Sequence, residues 1–264
     1  MRHVASALTC AVVCGALGCG GGGPDADRSV QPERLRVRVV RSTAHDPEAF
    51  TQGLLWRDGQ LFESTGRYGL SSLRQVDPTT GRVVRQVPLD SRYFGEGLAL
   101  VGRRLIQLTW QRGVALVWDL GTFQQIESFT YAGEGWGLCH DGRRLVMSDG
   151  SDQLTFRDPE SFAETGRIAV TSAGRPVQML NELECVDGMV YANVWQTEEI
   201  VRIDPDTGIV TAVIDASGLL DGPLPEVLNG IAYLPDTERF LITGKLWPRM
   251  FEVELEQAPT GPGT

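Results

Sequence analysis

The chain of 264 residues has little with which to hold a metal: three histidines and five cysteines in all. His3, Cys10, Cys14 and Cys19 sit in the N-terminal segment. Beyond it only His45, His140, Cys139 and Cys185 remain, the two histidines in different repeats and the two cysteines far apart in sequence. No zinc-ligand cluster emerges from that set, and no metal or cofactor is expected. Positive charge is also short, with 24 Lys+Arg against 34 Asp+Glu and a net charge of −10, which excludes a nucleic-acid binder. The glycine run Gly20 to Gly23 precedes no strand–helix unit and makes no phosphate loop. Long helical periodicity is missing after residue 34.

The apolar run Val4 to Gly18 follows Arg2 and His3 and is too short to span a bilayer comfortably, so residues 1–18 read as a signal peptide. Its end, Ala16-Leu17-Gly18-Cys19, resembles a bacterial lipobox, with Ala16 where a larger aliphatic residue is usual. Cys19 is the expected lipidation site, and residues 19–34 the glycine-rich tether of an exported lipoprotein, periplasmic or membrane-anchored; plain secretion is the alternative. A lipid anchor is the one membrane contact expected. Of the remaining cysteines, Cys139 and Cys185 would be free to pair in an oxidising compartment, but free buried thiols suit their β-like segments at least as well.

What the sequence does have is short runs of Val, Ile, Leu, Tyr and Trp between Asp-Gly, Asp-Pro and Thr-Gly turns, an all-β signature. The runs repeat. Five triplets, Gln52-Gly53-Leu54, Glu96-Gly97-Leu98, Trp136-Gly137-Leu138, Asn181-Glu182-Leu183 and Asn229-Gly230-Ile231, recur every 40 to 48 residues. Hairpin turns follow at Asp58-Gly59, Val101-Gly102, Asp141-Gly142, Asp187-Gly188 and Pro235-Asp236, and two later turns, Asp77 to Gly81 and Asp204 to Gly208, nearly duplicate each other. This period suits four strands per unit, hence a five-bladed β-propeller over residues 35–256, with 257–264 a flexible tail. The fifth unit lacks an outer strand, and an unassigned strand, Leu35 to Arg41, precedes the first. The N-terminal strand is therefore expected to complete the last blade, leaving no long free sheet edge.

Innermost strands of a propeller converge on one channel, so equivalent repeat positions mark the site. Gln52, Glu96, Trp136, Asn181 and Asn229 precede the repeated position, and the partner strands end near Thr65, Trp110, Asp149, Trp195 and Lys245. Glu182, standing where the other repeats have glycine, is expected to face the channel as well. One acid, several amides, one lysine and three indoles make a recognition pocket with a single credible proton carrier. His45, in Ala44-His45-Asp46-Pro47, reads as a loop or rim residue.

The strings Phe50-Thr51-Gln52-Gly53, Phe94-Gly95-Glu96-Gly97, Leu108-Thr109-Trp110, Asn181-Glu182-Leu183-Glu184, Asn193-Val194-Trp195, Leu228-Asn229-Gly230-Ile231 and Thr243-Gly244-Lys245-Leu246-Trp247 resemble the glutamine cyclotransferases of plants and bacteria, over roughly residues 36 to 255. The resemblance implies a five-bladed propeller that closes the N-terminal glutamine of peptides or proteins into pyroglutamate with release of ammonia, without a metal; a monomer is expected. It implies Glu96 as the acid/base, Phe50, Gln52 and Phe94 lining the pocket, and Trp110, Trp136 and Trp195 walling it. Asn181, Glu182 and Lys245 carry over on looser spacing, and Asn229 is placed with the substrate-binding residues. Gln52, Asn181 and Lys245 are three candidate donors to an oxyanion, left unranked.

Two other classes stay open. Trp118-Asp119 mimics the dipeptide of WD-type protein-binding propellers, but only once and without Gly-His. A calcium-dependent lactonase-type propeller would draw on Asn181, Glu182, Asn229 and Asp149.

Overall fold

The computed structural model describes residues 31–259. The expected signal peptide, Cys19 and residues 19–30 of the tether lie outside the described residues, as does the end of the C-terminal tail. All regular structure described is β. Strand β1 (Glu33–Ala44) outruns the Leu35 to Arg41 segment that the sequence suggested. The first sheet is an antiparallel run of β2 (Thr51–Arg57), β3 (Gln60–Thr65), β4 (Ser72–Val76) and β5 (Val83–Pro88). The second repeats it with β6 (Gly95–Val101), β7 (Arg104–Thr109), β8 (Val114–Asp119) and β9 (Gln125–Thr130). The third uses shorter strands, β10 (Leu138–His140), β11 (Leu145–Met147), β12 (Gln153–Arg157) and β13 (Glu164–Ala169). A small hairpin that the sequence did not suggest follows, β14 (Thr171–Ser172) with β15 (Arg175–Pro176).

The remaining eight strands join this hairpin, through β14 beside β19, in one ten-stranded sheet. In it β16 (Leu180–Val186), β17 (Met189–Val194), β18 (Glu199–Asp204) and β19 (Ile209–Asp215) run antiparallel, as do β20 (Leu228–Leu234), β21 (Arg239–Gly244), β22 (Arg249–Gln257) and β1. These two runs merge because β1 also pairs in parallel with β19, Glu33 opposite Ala212 through Arg36 opposite Asp215. The N-terminal strand does therefore complete the last antiparallel run, and it covers the edge of the run before it as well.

Local chemistry explains the turns. Asp58 and Gly59 both have positive φ, 48° and 77°, as do Asp187 and Gly188, which matches hairpin turns to the right-handed strand twist. Asp77 Oδ1 accepts the N–H groups of Thr79 and Thr80 at 2.8 and 3.0 Å, closing the turn into β5. Outer strands β5 and β13 alternate between exposed and half-buried positions, whereas β2, β6 and β20 are buried almost throughout. Both faces of those strands are covered. Five apolar clusters fill the spaces between neighbouring runs, and burial of each Leu, Val or Phe contributes about 1.5 to 3 kcal/mol. Strand β2 lies beside β6 and β20, β6 beside β10, β10 beside β16, and β16 beside β20, a closed circle of first strands.

Two polar features hold this circle. A Cβ on Gly97 would sit 2.5 Å from the Leu138 nitrogen and one on Gly137 2.0 Å from the Asn181 oxygen, so the strands approach too closely for any side chain there. At the fourth position the gap is wider, and Glu182 fills it: its two oxygens accept the N–H groups of Leu54, at 3.2 Å, and Ile231, at 2.8 Å. Glu182 is thus spent on backbone donors that have no ladder partner, which corrects its expected place in the substrate pocket. Burial lifts its carboxyl well above the usual range, Glu184 adds to the rise, and the two backbone bonds oppose it.

His45 is also corrected. It is buried, not at the rim, because its ring bridges the Trp247 carbonyl (Nδ1, 2.7 Å) and the Glu63 carboxylate (Nε2, 2.9 Å). Burial alone would lower the His45 pKa, but Glu63 outweighs it and holds the ring above its ordinary value; burial would raise Glu63, but His45 and Arg74 hold it low. Cys139 on β10 and Cys185 on β16 form a disulfide with Cα atoms 5.5 Å apart, resolving the open question of their state.

Deleting Leu35 to Arg41 is expected to abolish cooperative folding or lower the melting midpoint by roughly 10 °C or more, read by calorimetry, because two runs lose their shared strand. The His45–Glu63 pair makes a second expectation. A raised histidine contributes stability below its unfolded pKa and loses it as pH rises through the folded value; a depressed glutamate contributes above its unfolded pKa and loses it as pH falls. The stability difference between wild type and Glu63→Gln should be widest at about pH 5 to 6, between the unfolded values of glutamate and histidine, on the order of 3 kcal/mol, and should narrow as the pH rises through the raised histidine value. A pH-independent difference would show that the pair is uncharged.

Candidate active site

Each run contributes to one end of the circle. Phe50 and Phe94 immediately precede β2 and β6, whose second residues are Gln52 and Glu96. Trp110, Trp195 and Lys245 immediately follow β7, β17 and β21. Trp136 stands two residues before β10, and Asn181 is the second residue of β16. Together they line a cavity of about 370 Å³, which brings nine of the eleven expected catalytic and substrate-binding residues to one place. The two exceptions are Glu182, described above, and Asn229. Asn229 sits behind the wall, fully buried, its amide nitrogen donating to the Thr51 carbonyl at 2.9 Å and to Gln52 Oε1 at 3.2 Å.

That contact has a consequence for the acid. With its oxygen taken by Asn229, Gln52 turns its NH₂ group to Glu96 and donates to Oε1 at 3.0 Å. Glu96 is only 4% exposed. Burial pushes its carboxyl well above the usual range; Lys245 opposes the shift and Glu134 adds to it. Lys245 is the single lysine of the chain and equally buried. Burial depresses its pKa, while Glu96 and Glu226 pull it back up. Its Nζ lies 5.0 Å from the Phe50 ring centre, and among the described residues it makes no salt bridge.

The aromatic wall has two parts. Phe50 meets Phe94 edge to face at 6.0 Å between ring centres, Phe94 meets Trp110 at 5.6 Å, and Trp136 meets Trp195 at 5.6 Å. Apolar walls around one proton-accepting acid, one ammonium and two amides can seat a short aliphatic chain ending in a polar group and move protons at that end.

Sequence reasoning missed two acids here. Glu226, before β20, lines the cavity. Glu134 lies outside the wall, where Oε2 accepts the indole N–H groups of Trp110, at 2.7 Å, and Trp136, at 3.0 Å. A signal for Glu134 exists: Gly133-Glu134-Gly135 copies Gly95-Glu96-Gly97, displaced from the repeat register. Nothing comparable marks Glu226.

The glutamine cyclotransferase family pattern matches residues 11–255. A glutaminyl-peptide cyclotransferase of Arabidopsis thaliana is 43% identical over 235 residues, covering 86% of this chain and 73% of that protein. The crystal structure of Myxococcus xanthus glutaminyl cyclase superposes with a TM-score of 0.81 at 43% identity, covering 87% of this chain and all of that one. With the family pattern spanning nearly the whole β domain and both relatives at this identity, the chain belongs to the glutamine cyclotransferase family.

Proposed function

We propose that this protein is a glutaminyl-peptide cyclotransferase that closes the N-terminal glutamine of peptides and proteins to pyroglutamate, on a five-bladed β-propeller and without a metal. The observation that carries the reading is Glu96: a buried carboxyl with a raised pKa, hydrogen-bonded by Gln52, at the bottom of an aromatic pocket. The closed circle of first strands and the five interlayer clusters support five blades, with β16–β19 and β20–β22 plus β1 as the last two.

In this mechanism the aromatic wall seats the glutamine side chain and brings its α-nitrogen against its own γ-carboxamide. Ring closure is intramolecular, so this positioning supplies much of the rate. The ionised Glu96 takes a proton from the α-ammonium. The freed amine attacks the carboxamide carbon, a C–N bond forms, and the carbonyl oxygen becomes an oxyanion. One N–H of the Gln52 amide goes to Glu96, and its second N–H, with Lys245 and Asn181, supplies the candidate donors to that charge; a well-aimed donor contributes about 3 kcal/mol. Glu96 then hands its proton to the departing nitrogen, and the old C–N bond breaks. Of the two protons that the α-nitrogen sheds between ammonium and lactam, one leaves on ammonia through Glu96 and the other goes to solvent.

Export as a lipoprotein is part of the proposal. Cys19 and the apolar run before it support it from the sequence, and the Cys139–Cys185 disulfide supports an oxidising compartment.

Mass spectrometry of a Gln-initiated peptide should show loss of ammonia, unaffected by a chelator. Glu96→Gln should lower kcat by about 10²-fold or more with fold and peptide binding retained. Near-parental turnover in that folded variant would remove Glu96 from the chemistry. The acid limb of the wild-type profile should lie well above the usual carboxylate range, because kcat/KM follows ionisation of a carboxyl whose pKa burial has raised. Cys19→Ser is expected to free the protein from the membrane fraction; unchanged fractionation would exclude the lipid anchor.

A further inference from the structure

Glu134 has no place in the mechanism above, yet it is tied to two walls of the pocket at once. It lies in the connection between β9 and β10, half exposed. One oxygen, Oε2, receives the N–H of Trp110 from one run and of Trp136 from the next; the other, Oε1, receives Gln111 Nε2 at 3.0 Å. Three donors on one carboxylate fix the rotation of both indoles, because an indole has a single N–H and turning either ring breaks its bond.

We propose that Glu134 is a positioning residue of the cyclisation, holding the Trp110 and Trp136 indoles in their pocket-lining orientation and setting a fixed negative charge close to Glu96. This inference rests on the function proposed above. The charge is permanent over the working range: burial would raise the Glu134 carboxyl, but the bonds from Trp136, Gln111 and Trp110 together hold it below the usual range. Its effect on Glu96 is directional. After burial, Lys245 is the larger influence and favours the ionised acid, while Glu134 favours the protonated one. The Tyr131 phenol feels the charge of Glu96 but stays neutral, its pKa pushed far up by burial, and Glu226 acts on Lys245. Glu134 thus keeps the Glu96 proton available for the leaving nitrogen against an ammonium that would strip it.

The test is Glu134→Gln beside Glu134→Asp, with the pH dependence of kcat/KM, the KM and kcat values, and the melting midpoint of each. An amide at 134 removes the charge: its carbonyl oxygen can still accept both indole N–H groups, but without the charge those bonds weaken, and its NH₂ is set against the Gln111 donor. Glu134→Gln should move the acid limb to lower pH by roughly half a unit to one unit and raise KM roughly tenfold, with kcat less affected. Glu134→Asp keeps the charge on a shorter arm, so its limb should stay parental while KM rises. A readout besides activity comes from the single lysine: in protein labelled with ¹³Cε-lysine, the one resonance of Lys245 should report the Glu96 titration, and its inflection should fall in Glu134→Gln. An unmoved limb and inflection in folded Glu134→Gln, whatever its melting midpoint, overturn the electrostatic role. Parental KM in Glu134→Asp overturns the orienting role, also if Glu134→Gln fails to fold. Absence of pyroglutamate from the wild type would instead sink the function itself, leaving the lysine titration to judge the charge of Glu134.

Discussion

Five strands packed side by side around one axis must approach until their backbones nearly touch, and the rest of the molecule follows from that crowding. It forces glycine at Gly97 and Gly137, where a Cβ would overlap the neighbouring strand's backbone. It also sets the address of the pocket, because residues one position earlier on β2 and β6, Gln52 and Glu96, are thrown towards the same end of the axis. Where the spacing opens at the fourth run, the gap exposes two strand donors that no ladder satisfies, and Glu182 closes it with a carboxylate. A buried acid with both oxygens bonded to backbone tolerates its surroundings where an unpartnered N–H would not.

The chemistry of the pocket comes from the same dryness. Glu96 and Lys245 are buried beside each other without forming a close ion pair, and each is pushed towards its neutral form. A tight salt bridge would lock both charges and cost a proton shuttle its reversibility. Spacing by aromatic rings and a single hydrogen bond from Gln52 keeps the carboxyl able to take and return a proton at modest cost. The amide of Gln52 is itself oriented from behind by Asn229, so a residue absent from the wall still decides which face of the wall is a donor.

The fold was legible because its constraint is periodic: an aliphatic residue recurs at all five inner strands and glycine at four of them, and half-strands at the two ends complement each other. The same periodicity exposed most of the pocket, since divergent residues at constant positions mark where identity matters for something other than packing. Pocket residues off the repeat were not legible. Glu226 lies in a connection with no counterpart, and Glu134 sits in a copy of the Gly95-Glu96-Gly97 string shifted out of register. Glu182 misled for a physical reason: an acid in place of glycine looks like a channel group, and only the wider gap between β16 and β20 shows that its oxygens are spent on main chain. His45 does lie in a connection, between β1 and β2, but its burial was not legible because its partner, Glu63, comes from a strand that otherwise reads as ordinary core. Cys139 and Cys185 occupy strands of different runs, and only the ring brings those strands together.

The joint between β1 and β22 sets an order of events. Its partners include Arg38 and Glu254, separated by 216 residues. A chain emerging from the ribosome, N-terminus first, holds β1 with neither neighbour complete until nearly its whole length has been made. Contacts of such long sequence separation form late and slowly. Until then the edges of β21 and β1 that β22 will cover are open to pairing with another copy. The vulnerable period in this protein's life is therefore the interval before its last strand arrives, and a ribosome stalled a few codons short of β22 would release a molecule with every pocket residue present and no closed ring to hold them.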